Sequence, residues 1–88
     1  MNAVTSQAQI RREREREAHR RELIAAAERV FAGKGYDDAM VEEIAREAGY
    51  ATGTIYNFFA GKEELFLAVA ELLAGRVPDL AGATRFGA

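Results

Sequence analysis

The sequence predicts an all-α fold, arranged as one small helical domain. The chain has 88 residues, enough for a single domain with a core of modest depth. Hydrophobic residues make up 49% of it, and proline occurs once, which is typical of a compact helical protein. Apolar residues also recur at spacings of three, four and seven, the period of an α-helix with one buried side.

The first helix is predicted over about residues 9–33. It begins with the run IRREREREAHRRE, in which Glu and Arg recur at spacings of three and four and support an exposed helix. An apolar stripe follows, consisting of Leu23, Ala27, Val30 and Phe31. Either Gly33 or Gly35 can end the helix, because glycine adopts the cap conformation without strain. Residues 1–9 are polar, and we expect them to be disordered.

Three shorter helices are expected after the first. The second has the apolar residues Val41, Ile44, Ala45 and Ala48. It stops at Gly49. The third is predicted over residues 52–59, with Ile55, Phe58 and Phe59 on its inner side. The fourth carries the apolar residues Leu65, Val69, Leu72 and Leu73, and it ends by Gly75.

The second and third helices are joined by about three residues, which is typical of a helix-turn-helix. With Val41 as its first position, Ala45 is the fifth, where a small side chain lets the helices approach closely. Gly49 is the ninth, where the turn requires a positive φ, and Ile55 is the fifteenth, where it fills the angle between the helices. We therefore expect a homeodomain-like core of three helices plus a fourth helix.

Charge is unevenly distributed along the chain, although the net charge is −2. Residues 1–34 carry a net charge of +3 and residues 35–88 a net charge of −5. The local potential governs the approach to a polyanion, so the positive half is a candidate DNA-binding region. Its basic arm, residues 10–21, includes Arg11, Arg12, Arg14 and Arg16. Two interpretations stay open: a solvated helix face, or an arm lying along phosphates.

Several classes of function have no support in the sequence. There is no cysteine, and the single His19 cannot form a metal site without several converging carboxylates, so we expect no metal and no cofactor. No group of titratable residues predicts a catalytic pocket, so we expect no enzyme. No segment approaches the ~20 apolar residues of a membrane span, and we expect a cytoplasmic protein that does not contact a membrane.

The stretch LIAAAERVFAGKGYDDAMVEEIAREAGYATGTIYNFFAGKEELFLAV, roughly residues 23–70, resembles the DNA-binding domain of the tetracycline-repressor (TetR) family. The resemblance implies a bacterial, nucleoid-associated, sequence-specific transcription regulator, with repression as the family's habit. Its partner would be double-stranded DNA with an inverted-repeat operator. In this family a larger C-terminal domain dimerises and binds an effector, so a homodimer is implied if such a region exists outside this chain.

The resemblance also assigns roles to individual residues. Base contacts are implied for Thr52, Gly53 and Tyr56, and phosphate contacts for Thr54, Tyr56, Asn57 and Lys62. Alternatives stay open for three of them. Thr52 could be a turn residue, Tyr56 could pack its ring at the edge of the core, and Lys62 could be a solvated surface lysine.

The chain departs from the family pattern where hydroxyl or imidazole groups are usual. The substituted positions are Ala39, Met40, Ala51, Phe58 and Gly61. Asp38 is left as a candidate cap of the second helix. The domain is expected to span residues 10–75, followed by a loose C-terminal tail at 76–88, with neither a dimerisation domain nor an effector pocket. An alternative hypothesis is a helical protein-interaction module with the same fold and weak or no DNA binding.

Overall fold

The computed structural model describes residues 6–75, which form four helices and confirm the all-α prediction. These are α1 (Gln7–Lys34), α2 (Val41–Ala48), α3 (Thr52–Ile55) and α4 (Lys62–Gly75). None of the helices in this part of the chain is long and apolar enough to cross a membrane. The tail expected at 76–88 and the first five residues lie outside the described residues.

Helix α1 begins at Gln7, so the prediction of disorder up to residue 9 is wrong for residues 7–9. The cause is a capping box: the Ser6 side chain accepts a hydrogen bond from the Gln9 amide at 3.1 Å, and the Gln9 side chain accepts one from the Ser6 amide at 3.0 Å. At the other end, Gly35 has φ 84° and its amide donates to the Phe31 carbonyl at 2.8 Å. Gly35, and not Gly33, therefore ends α1.

Helix α2 ends as predicted, because Gly49 adopts the left-handed conformation with φ 84° and ψ 25°. Its start differs from the expectation. Met40, and not Asp38, occupies the N-cap position, and the Met40 amide donates a hydrogen bond to the Glu43 carboxylate at 3.2 Å. Asp38 lies exposed in the preceding turn. An acid inside the first turn satisfies the free amide and suits the helix dipole.

The core lies where α1 packs against α2 and α4, and α2 packs against α3. Its largest fully buried side chains come one from each helix: Leu23, Ile44, Ile55 and Leu65. Ala45 is 1% exposed, as expected of a small residue where α2 packs against the other helices. Ile55 therefore fixes α3 against the rest of the domain.

Helix α3 is shorter than the predicted span of 52–59, because regular helix ends at Ile55. The chain continues in tight turns: the Phe58 and Phe59 amides both donate to the Ile55 carbonyl, at 2.8 and 2.9 Å. Such tightening toward i→i+3 bonds is common at helix ends, and aromatic residues and asparagine are poorer helix formers than alanine or leucine. We call residues 52–59 the recognition segment.

Candidate nucleic-acid interface

The recognition segment has one buried side and one exposed side. Ile55 is buried, whereas Gly53, Tyr56 and Asn57 are exposed at spacings of three and four, which place them on one face. Thr52 is half-buried and lies one turn before Tyr56. Thr54 is half-buried on the other flank of Ile55. None of the polar residues expected to contact DNA is buried, but Thr54 stands apart from Thr52 and Tyr56.

Tyr56 projects its ring into solvent, with 53% of its surface exposed. The sequence left open whether this ring packs at the edge of the core, and the exposure favours the outward orientation. Its hydroxyl makes no hydrogen bond within residues 6–75. A tyrosine placed this way offers both a ring face and a polar tip to a ligand.

Asn57 and Phe58 are held by a residue of α1. The Arg16 guanidinium donates a hydrogen bond to the Asn57 carbonyl at 3.0 Å, and its central carbon lies 4.3 Å from the centre of the Phe58 ring. One turn later, the Arg20 guanidinium lies 5.4 Å from the centre of the Phe59 ring. Local sequence pattern gave no sign of these contacts, since Arg16 and Asn57 are 41 positions apart.

The arginines of the basic arm divide between two faces of α1. Arg12, Arg16 and Arg20 follow at intervals of four and share the face that meets the recognition segment. The other face carries Arg11 and Arg14. Both are exposed, and Arg14 lines a shallow groove with Ile10 and Arg21. The structure thus brings only part of the predicted arm next to α3.

Lys62 lies at the first position of α4 and is half-buried. Its ammonium donates hydrogen bonds to the carbonyls of Tyr36 and Asp37, at 2.8 and 3.4 Å, and lies 4.4 Å from the centre of the Tyr36 ring. Lys62 is therefore no freely solvated lysine, which was the alternative that the sequence left open. An ammonium has three N–H groups, and two of them point at these carbonyls.

Tyr50 fixes the turn before α3 and was given no role by the sequence analysis. Its hydroxyl donates a hydrogen bond to the Glu22 carboxylate, and its ring meets the His19 ring edge-on with centres 5.4 Å apart. The hydrogen bond to Glu22 raises the pKa of the Tyr50 hydroxyl above its ordinary value. The sequence marks Tyr50 only by its place beside Gly49, and that position alone does not predict a hydrogen bond or a ring contact.

Acidic residues of α2 are paired with basic residues of α1. Glu43 accepts a hydrogen bond from the Lys34 ammonium, and Arg29 lies 2.7 Å from the Glu47 carboxylate. The hydrogen bond from Lys34 lowers the pKa of the Glu43 carboxyl below its ordinary value. Between residues 6 and 75, no group of three His, Cys, Asp or Glu side chains could hold a metal ion.

Comparison with known proteins decides the family. The family model described as bacterial regulatory proteins, tetR family, matches residues 23–69, which is more than half of the chain. The chain belongs to the tetR family. The matched region contains α2, α3 and most of the core, so it includes the recognition segment.

The relatives of this chain include both transcriptional repressors and a transcriptional activator. The HTH-type transcriptional repressor AcnR of Corynebacterium diphtheriae is 38% identical over 61 residues, which cover 69% of this chain and 32% of AcnR. The HTH-type transcriptional activator FasR of Mycolicibacterium smegmatis is 41% identical over 56 residues, covering 64% of this chain and 26% of FasR. The chain thus spans about a third or less of the length of these relatives.

A solved tetR-family structure has the same architecture. It is the crystal structure of a protein from Mesorhizobium loti described as a TetR-family transcriptional regulator, with 42% sequence identity and a TM-score of 0.70. The match covers 73% of this chain and 32% of that one. The four-helix arrangement described above is therefore the arrangement of a tetR-family DNA-binding domain.

In this tetR-family member, three positions that flank α2 carry no hydroxyl group. Ala39 is buried, while Met40 and Ala51 are exposed and apolar. The Arg16 guanidinium lies over the Phe58 ring. The polar surface available to a ligand is thus concentrated on Thr52, Gly53, Tyr56 and Asn57.

Proposed function

We propose that the chain is the sequence-specific DNA-binding part of a bacterial transcription regulator, which inserts the recognition segment into the major groove of DNA. The observation that carries this proposal is the exposed face formed by Gly53, Tyr56 and Asn57 on a segment fixed by the buried Ile55. A major groove admits a helix, and residues near the start of that helix face the base edges.

The contacts divide into two kinds by position. Thr52, Gly53 and Tyr56 contact base edges, because they begin the segment and share its outer side. Thr54, Asn57 and the Tyr56 hydroxyl contact phosphates on the flanks, and Lys62 contacts a phosphate with the N–H group that its two carbonyl partners leave over. Arg12 adds a phosphate contact from the face of α1 beside the segment, and Arg11 and Arg14 contribute at longer range.

The regulator acts in the bacterial cytoplasm as a homodimer on an inverted repeat, and it represses transcription. The named repressors among the relatives support the sign of regulation, and a two-fold operator doubles the contact area of one recognition segment. The chain has no catalytic role, which agrees with relatives that are named as transcription regulators.

The test is selection of bound sequences from a random duplex pool, followed by sequencing. We expect enrichment of a shared motif, arranged as an inverted repeat when two copies bind together. The matched control is the Thr52→Ala, Tyr56→Ala double variant, which removes two outward side chains and leaves the buried Ile55 in place. This variant should lose the enrichment while its circular dichroism spectrum stays unchanged.

Two outcomes contradict parts of the proposal. No enrichment, together with no retardation of mixed genomic duplex at low salt, would overturn it and favour the protein-interaction module. Repression and activation are distinguished by inserting a selected motif between a promoter and a reporter gene and measuring reporter expression. If expression of the chain raises the reporter signal, the repressor assignment is wrong.

A further inference from the structure

Helix α1 contacts the chain just before the recognition segment and again in the last part of the segment. Before the segment, the Tyr50 hydroxyl is bonded to the Glu22 carboxylate. At the far end, the Arg16 guanidinium is bonded to the Asn57 carbonyl at 3.0 Å and lies over the Phe58 ring at 4.3 Å. The direction in which the segment points is therefore linked to α1 as well as to α2.

The segment needs such external contacts because it has little internal support. Its regular helix has four residues, and no side chain caps its start at Ala51. An isolated helix of this length is not stable in water, since the cost of fixing the first turn is not recovered. Ile55 and Phe59 are both buried, but they lie on the inner side of the segment, so rotation about the line that joins them stays open.

We infer that Arg16 is a positioning residue, whose guanidinium fixes the far end of the recognition segment and so orients Tyr56 and Asn57 for base and phosphate contact. This inference rests on the proposed DNA-binding function and refines the role of one residue of the basic arm. The carbonyl at a helix end carries partial negative charge and favours a cation. The planar guanidinium stacks flat on an aromatic ring while it donates in its own plane, whereas a lysine ammonium is a compact point charge with no flat face and no fixed donor geometry.

Arg12 provides a matched control. It lies one turn before Arg16 on the same face of α1 and is exposed. It forms no ion pair or hydrogen bond with any of residues 6–75. Substitution by lysine keeps the charge at either position, so any difference between Arg12→Lys and Arg16→Lys reports the geometry of the guanidinium and not its charge.

The experiment compares the two lysine variants with the unchanged chain in two measurements. The first is amide hydrogen exchange of residues 56–59 without DNA. The second is affinity for a duplex selected from the random pool and for a scrambled duplex of equal length, over a range of salt concentrations. Thermal melts followed by circular dichroism establish that each variant is folded.

We expect Arg16→Lys to speed exchange at residues 56–59 and to weaken binding to the selected duplex by about two- to tenfold, the net size of one lost hydrogen bond. Binding to the scrambled duplex and the salt dependence should stay as in the unchanged chain, because the charge is retained. Arg12→Lys should leave exchange at residues 56–59 as in the unchanged chain. Because Arg12 is assigned only a phosphate contact, any loss of affinity in this variant should be equal for the selected and the scrambled duplex.

Equal behaviour of the two lysine variants would overturn the inference. So would an Arg16→Ala variant that weakens both duplexes equally and lowers the salt slope by about one, since that is the pattern of a phosphate contact. If the unchanged chain binds no duplex, the proposed function fails, and the exchange measurement alone decides whether Arg16 holds the segment.

Discussion

Replacing Gly53 with alanine separates DNA contact from folding, because the two respond in opposite directions. Gly53 is exposed, lies in α3 and does not have a positive φ. A Cβ atom built at this position has no neighbour within 4 Å. The folded domain therefore accepts alanine without strain, whereas a base edge approaching the backbone at this position does not.

The expected magnitudes follow from this geometry. Alanine in place of a helical glycine reduces the entropy of the unfolded chain and stabilises by about 0.4–1 kcal/mol. For a domain of this size the melting temperature should rise by about 2–8 °C. If the backbone of Gly53 approaches a base edge, the added methyl group should weaken binding to the selected duplex by ~1–3 kcal/mol, roughly five- to hundredfold.

The assay pairs a thermal melt with fluorescence anisotropy on a labelled selected duplex. Gly33→Ala is the matched control, because Gly33 is also helical and a Cβ there meets nothing within 4 Å. It lies beside Glu43 and Glu47, away from the recognition segment. A Gly53→Ala variant that melts higher and binds as tightly as the unchanged chain would refute the close approach. A lower melting temperature would refute the geometry of α3.

Four further substitutions test the core, the interface and the ion pairs. Ile55→Ala should destabilise by ~2–4 kcal/mol, since it leaves a cavity at a fully buried position; an unchanged urea midpoint would contradict this. Tyr56→Phe should weaken duplex binding by ~1–3 kcal/mol without moving the melt, because the hydroxyl is outside the core; equal anisotropy curves would remove Tyr56 from the polar contacts. Lys62→Ala should lower stability by ~0.5–1.5 kcal/mol, because two carbonyls and the Tyr36 ring lose their partner. It should also reduce the salt slope of duplex binding by about one. If only the stability changes, Lys62 has a structural role alone, and if only the salt slope changes, it has a phosphate contact alone. Glu43 has a lowered pKa, so its pairing with Lys34 stabilises above the ordinary carboxyl pKa of 4.5 and is lost as pH falls through the lower folded value. The melting temperature of Glu43→Gln should therefore fall less than that of the unchanged chain between about pH 6 and pH 3. If the two melting temperatures fall in parallel, the Lys34–Glu43 pair does not contribute to the pH dependence of stability.

Those parts of the fold that depend on local spacing could be predicted from sequence. Apolar residues at helical intervals gave α1, α2 and α4, because burying one side of a helix requires that period. The roles of Gly49 and Ala45 could be predicted, because a positive φ favours glycine and a close approach of helices favours a small residue. The start of α1 was also available in principle, as Ser6 and Gln9 have the spacing of a capping box.

The parts that depend on distant contacts could not be predicted in this way. The recognition segment has helical spacing up to Phe59, yet regular helix ends at Ile55. Besides the buried Phe59, the far end is held by Arg16, which is 41 positions away from Asn57, and no local pattern encodes that pairing. Lys62 presents the same problem, because its partners at Tyr36 and Asp37 are 26 and 25 positions distant.

Charge explains how a chain with a net charge of −2 can approach DNA. Two of the three acids of α2 are paired with α1, Glu43 with Lys34 and Glu47 with Arg29, so the negative charge of these two is partly neutralised locally. Within residues 6–75, Arg11, Arg12 and Arg14 at the amino-terminal end of α1 have no such pairing. Because screening limits each charge to about 10 Å at 0.1 M salt, a phosphate beside this end meets the local balance of four arginines against Glu13, Glu15 and Glu17, and not the average of the chain. The sign of the local surface, and not the net charge, therefore decides whether the recognition segment can be brought to a polyanion.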